Sequence, residues 1–379
     1  MIDADNRSLS SLSRAMSFRA EPSYVHGSTP RTAVLLVNLG SPDEPTAAAT
    51  RRYLAEFLSD PRVVEIPPFV WKLVLHGIIL NTRPAKSAAK YATIWTEAGS
   101  PLVVGTARLA ARLGEEFAAE GQPLLVRHAM RYGNPSVGSV LDELREQGAT
   151  RLLVLPLYPQ YSAATTASVL DAVAQWAAHA RYLPELRFVN RYGDHPGHIR
   201  ALARSVQAHW AAHGKAPLLL MSFHGLPERS LHRGDPYHCE CHKTARLLAE
   251  ALGLEPRQFR VTFQSRFGKA QWLRPYTEPT LRELAASGVR QVDVICPGFA
   301  VDCLETLEEI AQEARDAFME AGGQDFRYIG CLNDSDDAVL TLRDLARLHL
   351  QGWPVQSDQD RDEAHLQRQR AAALGARMR

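Results

Sequence analysis

The chain has no long apolar run, little cysteine and no excess of charge of either sign. Its longest apolar stretch, residues 66–80, is interrupted by Pro67, Pro68, Lys72 and His76, whereas a membrane-crossing helix needs about 20 consecutive apolar residues. Five cysteines in 379 residues are an odd number, scattered, and make no disulfide framework, so a reducing compartment, the cytoplasm, is expected. Lys and Arg total 43 against 42 Asp and Glu, leaving no net field to gather nucleic acid, and none is expected as a partner. Neither a Gly-x-Gly-x-x-Gly spacing nor a Walker-type lysine motif occurs, which argues against a bound nucleotide.

What is present alternates. Continuous apolar runs of strand length recur at 33–39, 124–130, 152–157 and 186–190, and again at 218–223, 260–264, 292–296 and 326–329. Runs without polar alternation fit strands buried on both faces of a parallel sheet. Between them lie helix-period segments at 47–58, 103–119, 137–147 and 166–178, then 241–252, 279–286, 304–320 and 336–349. The fold class is α/β, with two similar Rossmann-like lobes whose parallel sheets face a cleft, over 31–195 and 196–352. Gly193, Pro196 and Gly197 mark a loop at the boundary. Local text repeats as well: Arg131-Tyr-Gly, a helix, Gly148 and a strand parallel Arg266-Phe-Gly, a helix, Gly288 and a strand. Residues 1–30, polar and without the apolar core of a secretory signal, and residues 353–379, rich in Gln, Asp, Arg and Ala, are expected to be solvated tails.

In open parallel sheets a ligand lies beyond the carboxyl ends of the strands. His224 stands there, in Ser-Phe-His-Gly-Leu-Pro over 222–227, as a base near neutral pH and a ligand for first-row metals. After the strand ending at Cys296, Asp302 precedes Glu305, Glu308 and Glu309 at a helix start. Asp302 as N-cap and Glu305 as the N3 member of a capping box would account for the acids structurally. The four-residue spacing of Glu305 and Glu309 also suits a path for a cation. Cys239-x-Cys241, flanked by His238 and His242, is the one ligand-dense tract elsewhere, without the second pair that a zinc site needs.

Five segments in this order, Leu-Leu-Val-Asn-Leu-Gly-Ser-Pro-Asp over 35–43, Tyr-Pro-Gln-Tyr-Ser over 158–162, the His224 segment, Gln-Ser-Arg-Phe-Gly over 264–268, and Cys-Pro-Gly-Phe over 296–299 leading to Glu-Thr-Leu-Glu-Glu over 305–309, resemble the ferrochelatases from about residue 34 to 350. The resemblance implies an enzyme that inserts Fe2+ into protoporphyrin IX held between the lobes, in the last step of haem synthesis. His224 and Glu305 then match the catalytic pair, with His224, Glu305 and Glu309 meeting the metal. Arg131, Tyr158 and Ser162 match polar groups toward the porphyrin, and Leu39, Trp272 and Phe299 match apolar or aromatic groups against it. Iron enters as substrate, and no permanently bound cofactor is expected.

Two positions depart from some relatives. Ala163 stands where a cluster-holding cysteine would follow the 158–162 segment, and no cysteine lies beyond Cys331, so no iron–sulphur cluster is expected. Cys303 stands where some relatives have a histidine two before the carboxylate. Competing readings are a chelatase placing another divalent metal in a different tetrapyrrole, a tetrapyrrole carrier, and a two-lobed solute-binding protein. The 66–80 segment reads either as a core-facing helix or as an exposed lip making transient contact with a membrane surface. A monomer is expected.

Overall fold

The computed structural model describes residues 18–22, 25–266, 268, 270–354 and 361–376. Among them, eight strands form two four-stranded sheets, all parallel: β1 (Arg31–Ser41), β2 (Leu125–Gly133), β3 (Ala149–Pro156) and β4 (Glu185–Phe188), then β5 (Leu219–His224), β6 (Phe259–Gln264), β7 (Gln291–Ile295) and β8 (Asp325–Ile329). The first sheet runs β2-β1-β3-β4 and the second β6-β5-β7-β8, the same order twice. In each, the chain reverses direction across the sheet between the first and third strands, so the crevices open beyond the ends of β1 and β3 and of β5 and β7.

The apolar strands are continuous because both faces are covered. In β1, Val34 and Leu36 point into a core shared by the two sheets, while Ala33, Leu35 and Val37 point into a separate outer core with Val154, Val169 and Trp176. A third cluster, including Leu220, Val292, Val294 and Phe318, covers the far face of the second sheet. The shared core joins Leu36 and Leu155 of one sheet to Met221 and Phe223 of the other. The helix Asp336–Leu350 closes it, packing on both the helix Pro101–Ala119 of the first lobe and the helix Pro196–His213.

The repeat extends to single hydrogen bonds. After β2 the Met130 N–H donates to the Pro135 carbonyl at 2.7 Å, and after β6 the Phe263 N–H donates to the Pro275 carbonyl at 2.8 Å. That pairing makes Arg131 the counterpart of Gln264. The textual parallel of Arg131-Tyr-Gly with Arg266-Phe-Gly is therefore out of step by two residues in space; Phe267 lies outside the described residues.

Gly193, Pro196 and Gly197, read as loop markers, do not all mark a loop. Pro196 occupies the first turn of an 18-residue helix, and the His195 ring accepts from the Gly197 N–H at 3.2 Å as its N-cap. Proline is tolerated there because the N–H it lacks would have no helical partner. Two other helices continue from a π-helical turn: Ala163–Ala167 into Ser168–Ala177, and Glu305–Ala314 into Arg315–Glu320. They occupy the same place in the two lobes, after β3 and after β7.

At the two ends, residues 18–22 and 25–30 lie against the first lobe, with Arg19 bound to Asp142 and Glu21 to Arg145. A helix at Arg361–Ala373 lies beside Gly27, whose carbonyl accepts from Arg368. Residues 1–17, 23–24, 355–360 and 377–379 of the expected tails lie outside the described residues.

Leu36 is fully buried between the sheets. Leu36→Ala is expected to cost about 2–5 kcal/mol of folding stability, since the cavity cannot collapse from either side. Guanidinium denaturation checks this, and a cost under about 1 kcal/mol would mean that the shared core is not tightly packed there.

Candidate active site in the cleft

Leu39 stands two residues before the end of β1 and Tyr158 just beyond β3, while His224 is the last residue of β5 and Phe299 lies beyond β7. The ring centroids of His224 and Phe299 are 6.4 Å apart. His224 Nδ1 is 2.7 Å from the Gly225 carbonyl. A carbonyl can only accept, so in the neutral ring Nδ1 carries the hydrogen and Nε2 presents its lone pair. Gly225 permits this turn: a Cβ would stand 2.5 Å from the Gln264 carbonyl, which already accepts the Gly225 N–H at 2.7 Å. Trp272 packs over the same glycine, and its indole N–H is buried without a partner.

Facing the histidine is the π-helical turn that carries Glu305 and Glu309. Gln264 fastens its start, donating Nε2 to the Glu305 carbonyl at 2.7 Å while its Oε1 accepts from Ser222 at 2.7 Å. Ser265, with φ of 63°, turns both its N–H (2.6 Å) and its hydroxyl onto the Glu309 carboxylate. A left-handed serine is uncommon, and here it aims two donors at one acid. Burial pushes the Glu309 carboxyl up; the Ser265 bonds and His224 oppose this, and Glu305 adds repulsion in the same upward direction.

The remaining acids are committed elsewhere. Glu308 is buried with Lys90 at 3.1 Å, and Lys90 also holds Glu313 at 2.7 Å. Residues five apart meeting one ammonium is the signature of i→i+5 winding. Asp302 does not cap the helix. Its carboxylate accepts from Tyr328 (2.6 Å), Asn333 (2.7 Å), Thr306 (2.9 Å) and the Cys331 N–H (3.3 Å), and the helix begins after Leu304 with no side-chain cap. The capping-box reading of Asp302 and Glu305 is thus replaced. Tertiary hydrogen bonds win because three of the four donors, Tyr328, Asn333 and the Cys331 N–H, come from β8 and the loop after it.

The predicted polar groups divide in two. Tyr158 reaches the cleft: its hydroxyl is buried without a partner, and burial pushes the phenol well above its ordinary range, with Arg131 opposing and Glu305 and Cys303 adding to the rise. Arg131 is held by Asp60 at 2.7 Å and by the Ser168 hydroxyl at 2.7 Å, against the Tyr132 ring. Burial works against the Asp60 charge, yet hydrogen bonds from Ser168, the Arg62 N–H and Tyr132, together with Arg131, carry its pKa below the ordinary value. Ser162 is 1% exposed, caps the Ala163–Ala167 turn and donates to Asp235 at 3.0 Å. Cys303, between Asp302 and the π-helix, is a buried thiol whose pKa burial and Glu305 both raise. It stays neutral, a poor ligand until deprotonated.

Sequence reasoning assigned no role to Gln264, Ser265, Tyr53 or Tyr91. Tyr53 and Tyr91 lie ring to ring at 6.5 Å, both buried and both within the field of Glu305. The signal available for Gln264 and Ser265 was their place directly after a buried strand. Nothing in the spacing of the two tyrosines announces them. Arg266 and Arg274 also sit on the rim beside Trp272, both over the Tyr276 ring, at 5.0 and 5.5 Å.

Two lobes of four parallel strands in the same order place the chain in the α/β fold class to which solved chelatases belong. SirB from Bacillus subtilis with Fe3+ shares the fold, at a TM-score of 0.51 and 12% identity over 87% of this chain and all of that one. DR2241 from Deinococcus radiodurans, itself described as similar to chelatases, matches at 0.50 and 15% over 91% of this chain and 60% of that one. The chain belongs to the ferrochelatase family, whose model, described as Ferrochelatase, matches residues 31–350. Ferrochelatases of Methylibium petroleiphilum and of Polaromonas sp. are 62% and 60% identical to it, over 95% of this chain and 99% and 100% of theirs.

Glu309 binds its proton more tightly folded than unfolded, so its contribution to stability is greatest below the ordinary carboxyl value of 4.5 and is lost as pH rises through its elevated folded value. Glu309→Gln is therefore expected to raise the thermal midpoint at pH 8 and to lose that advantage toward pH 4. An equal change at both pH values would remove the charge argument.

Proposed function

We propose that this protein inserts Fe2+ into protoporphyrin IX to give protohaem, with His224 as the proton acceptor and Glu305 as its facing carboxylate. The observation that carries the assignment of roles is the His224 tautomer. With Nδ1–H given to the Gly225 carbonyl, Nε2 is free to take a proton from a pyrrole N–H or to hold iron briefly. Insertion releases two pyrrole protons as one dication enters, so net charge on the macrocycle is unchanged. The site must nevertheless accept both protons. Glu305, on the half-buried end of the π-helix, and Glu309, already proton-seeking, supply the second acceptor and a line of negative charge for the incoming metal.

The macrocycle lies against Leu39, Tyr158, Trp272 and Phe299. A planar ring offers its nitrogens poorly to a metal, and apolar walls that bend it supply strain of about 1–5 kcal/mol from contacts remote from the nitrogens. The unpartnered Tyr158 hydroxyl and Trp272 indole N–H are donors available to the bound ring. Arg131 acts through Asp60 and Ser168 in shaping the wall, and Ser162 through its cap. Arg266 and Arg274 are placed to meet the acidic side chains of the porphyrin. The protein works without a resident cofactor: Ala163, where a cluster cysteine would be, instead opens the π-helical turn in the first lobe.

The 66–80 segment serves as the contact with a membrane surface from which an apolar substrate is drawn. It forms a helix, Pro68–Val74, with none of its residues buried, followed by the π turn Leu75–Ile79. Phe69 is 74% and Leu73 76% exposed, an apolar patch of the kind that marks interaction sites. Trp71 is its anchor, donating to the Leu58 carbonyl at 2.5 Å. No helix among the described residues is long and apolar enough to cross a membrane. The protein works as a monomer in the cytoplasm, touching the bilayer transiently.

Anaerobic conversion of protoporphyrin IX with Fe2+, followed optically, tests the reaction. His224→Ala is expected to lose at least about 100-fold in rate, as for removal of a general base. Tight porphyrin binding with no insertion of iron, cobalt or zinc would instead favour a carrier. For the lip, Phe69→Glu with Leu73→Glu is expected to cut partitioning onto liposomes several-fold while leaving the thermal midpoint unchanged; unaltered partitioning would remove the membrane reading.

A further inference from the structure

One motif stands outside the cleft chemistry. His238 and His242 are four apart on the helix Tyr237–Ala251, the spacing at which two imidazoles on one helix face share a metal. Their ring centroids are 4.5 Å apart. His238 stacks on Phe263 at 5.5 Å and 20°, which fixes one ring and, through contact, the other. No hydrogen bond engages any of their four ring nitrogens among the described residues. Burial holds both rings below the ordinary imidazole value, and for His242 the neighbouring His238 adds to this. The lone pairs are thus free near neutral pH, with no charged side chain shaping either titration.

A second pair of the same spacing shows what such a site must avoid. His209 and His213 are 4.7 Å apart, but His209 faces the buried Asp293, which Arg327 already holds at 2.8 Å. A guanidinium beside the pair repels a cation. Among the described residues no charged side chain acts on His238 or His242 in this way.

We propose that His238 and His242 form a two-imidazole site for a divalent first-row transition metal, distinct from the cleft. Imidazole suits Zn, Cu, Ni and Fe alike. Among the described residues no three His, Cys, Asp or Glu side chains converge as a ligand set, so water completes the coordination and the metal exchanges. Cys239 is exposed and three residues before His242, close enough on the helix to add a thiolate for a softer ion. Glu240 takes no part, being buried against Arg191 and the Tyr161 N–H. The site backs onto the cleft: the hydroxyl oxygen of Tyr237, one residue earlier, accepts from the His224 backbone N–H, and Phe263 precedes Gln264, the register partner of His224. A metal there clamps the first turn of the helix that supports the catalytic strand.

The test uses the full chain in a His224→Ala background, so that the cleft imidazole does not compete. Calorimetric titration with Ni2+ is expected to show one site per chain, weakened at least tenfold by His242→Ala. Ni2+ is expected to raise the thermal midpoint of the background protein and not of the double variant. His242 is exposed, so the substitution is compatible with folding, and His242→Ala alone is expected to keep wild-type iron insertion. Equal Ni2+ affinity and stoichiometry with and without His242 would overturn the proposal, as would loss of binding in Cys239→Ser with none in His242→Ala. These readings do not depend on which tetrapyrrole the cleft holds.

Discussion

Everything in the cleft depends on the apolar layer shared by the two sheets. β1 and β5 each send one face into it, through Val34 and Leu36 on one side and Leu219, Met221 and Phe223 on the other. Strands buried on both faces cannot slide by one residue without exchanging the side chains fitted into the two cores. The carboxyl ends of four strands are therefore held in fixed register, and the loops after them can carry conformations that would not persist alone. The Gly225 turn, closed against the Gln264 carbonyl, and the left-handed Ser265 are of this kind. Such backbone persists only where its surroundings over-determine it.

The same scaffold appears twice, and the difference between its copies is electrostatic. In the first lobe Arg131 reaches a buried acid, Asp60, that three hydrogen-bond donors and a guanidinium satisfy. Its charge is neutralised within that network by Arg131. In the second lobe the counterpart of Arg131 is the neutral Gln264, which bonds to backbone and hydroxyl and brings no cation. Among the described residues, Glu309 is held by the two donors of Ser265 and by no guanidinium. Burial and the Glu305 charge then leave the Glu309 carboxyl binding its proton more tightly than an ordinary carboxyl. The charge on one strand-end residue thus separates an acid closed in an ion pair from one held by neutral donors.

Much of this was legible in the sequence, for reasons that differ by element. All eight strands lie where continuous apolar text placed them; burial on both faces marks the inner strands β1, β3, β5 and β7, while the outer β4 and β8 are only partly covered. His224, Phe299 and Tyr158 were legible because topology alone puts residues after such strands at the cleft. The helix Pro196–His213 was missed: proline and glycine at its first turn read as loop. The π-helical winding left no sign, since i,i+4 and i,i+5 acids look alike until Lys90 is seen to hold both Glu308 and Glu313. Asp302 had every local mark of a cap, and its partners Tyr328, Asn333 and Cys331 come from a strand and loop about 30 residues away, a range that capping rules do not reach.

The π-helix gives the clearest link from backbone to chemistry. In an α-helix the carbonyl of Glu305 would meet the N–H of Glu309; with i→i+5 winding that N–H is released from that partner, and the turn widens. In the wider turn Glu309 meets the donors of Ser265 while Glu308 and Glu313 turn away to Lys90. Two acids are thereby neutralised and two are not, from a run in which four of nine residues are glutamate. An α-helix would present the same four side chains with different neighbours, and Lys90 could no longer hold Glu308 and Glu313 together without drawing charge from the cleft. The less stable winding persists because Gln264 fastens its first carbonyl and the buried Ile310 and Ala314 fasten its far side.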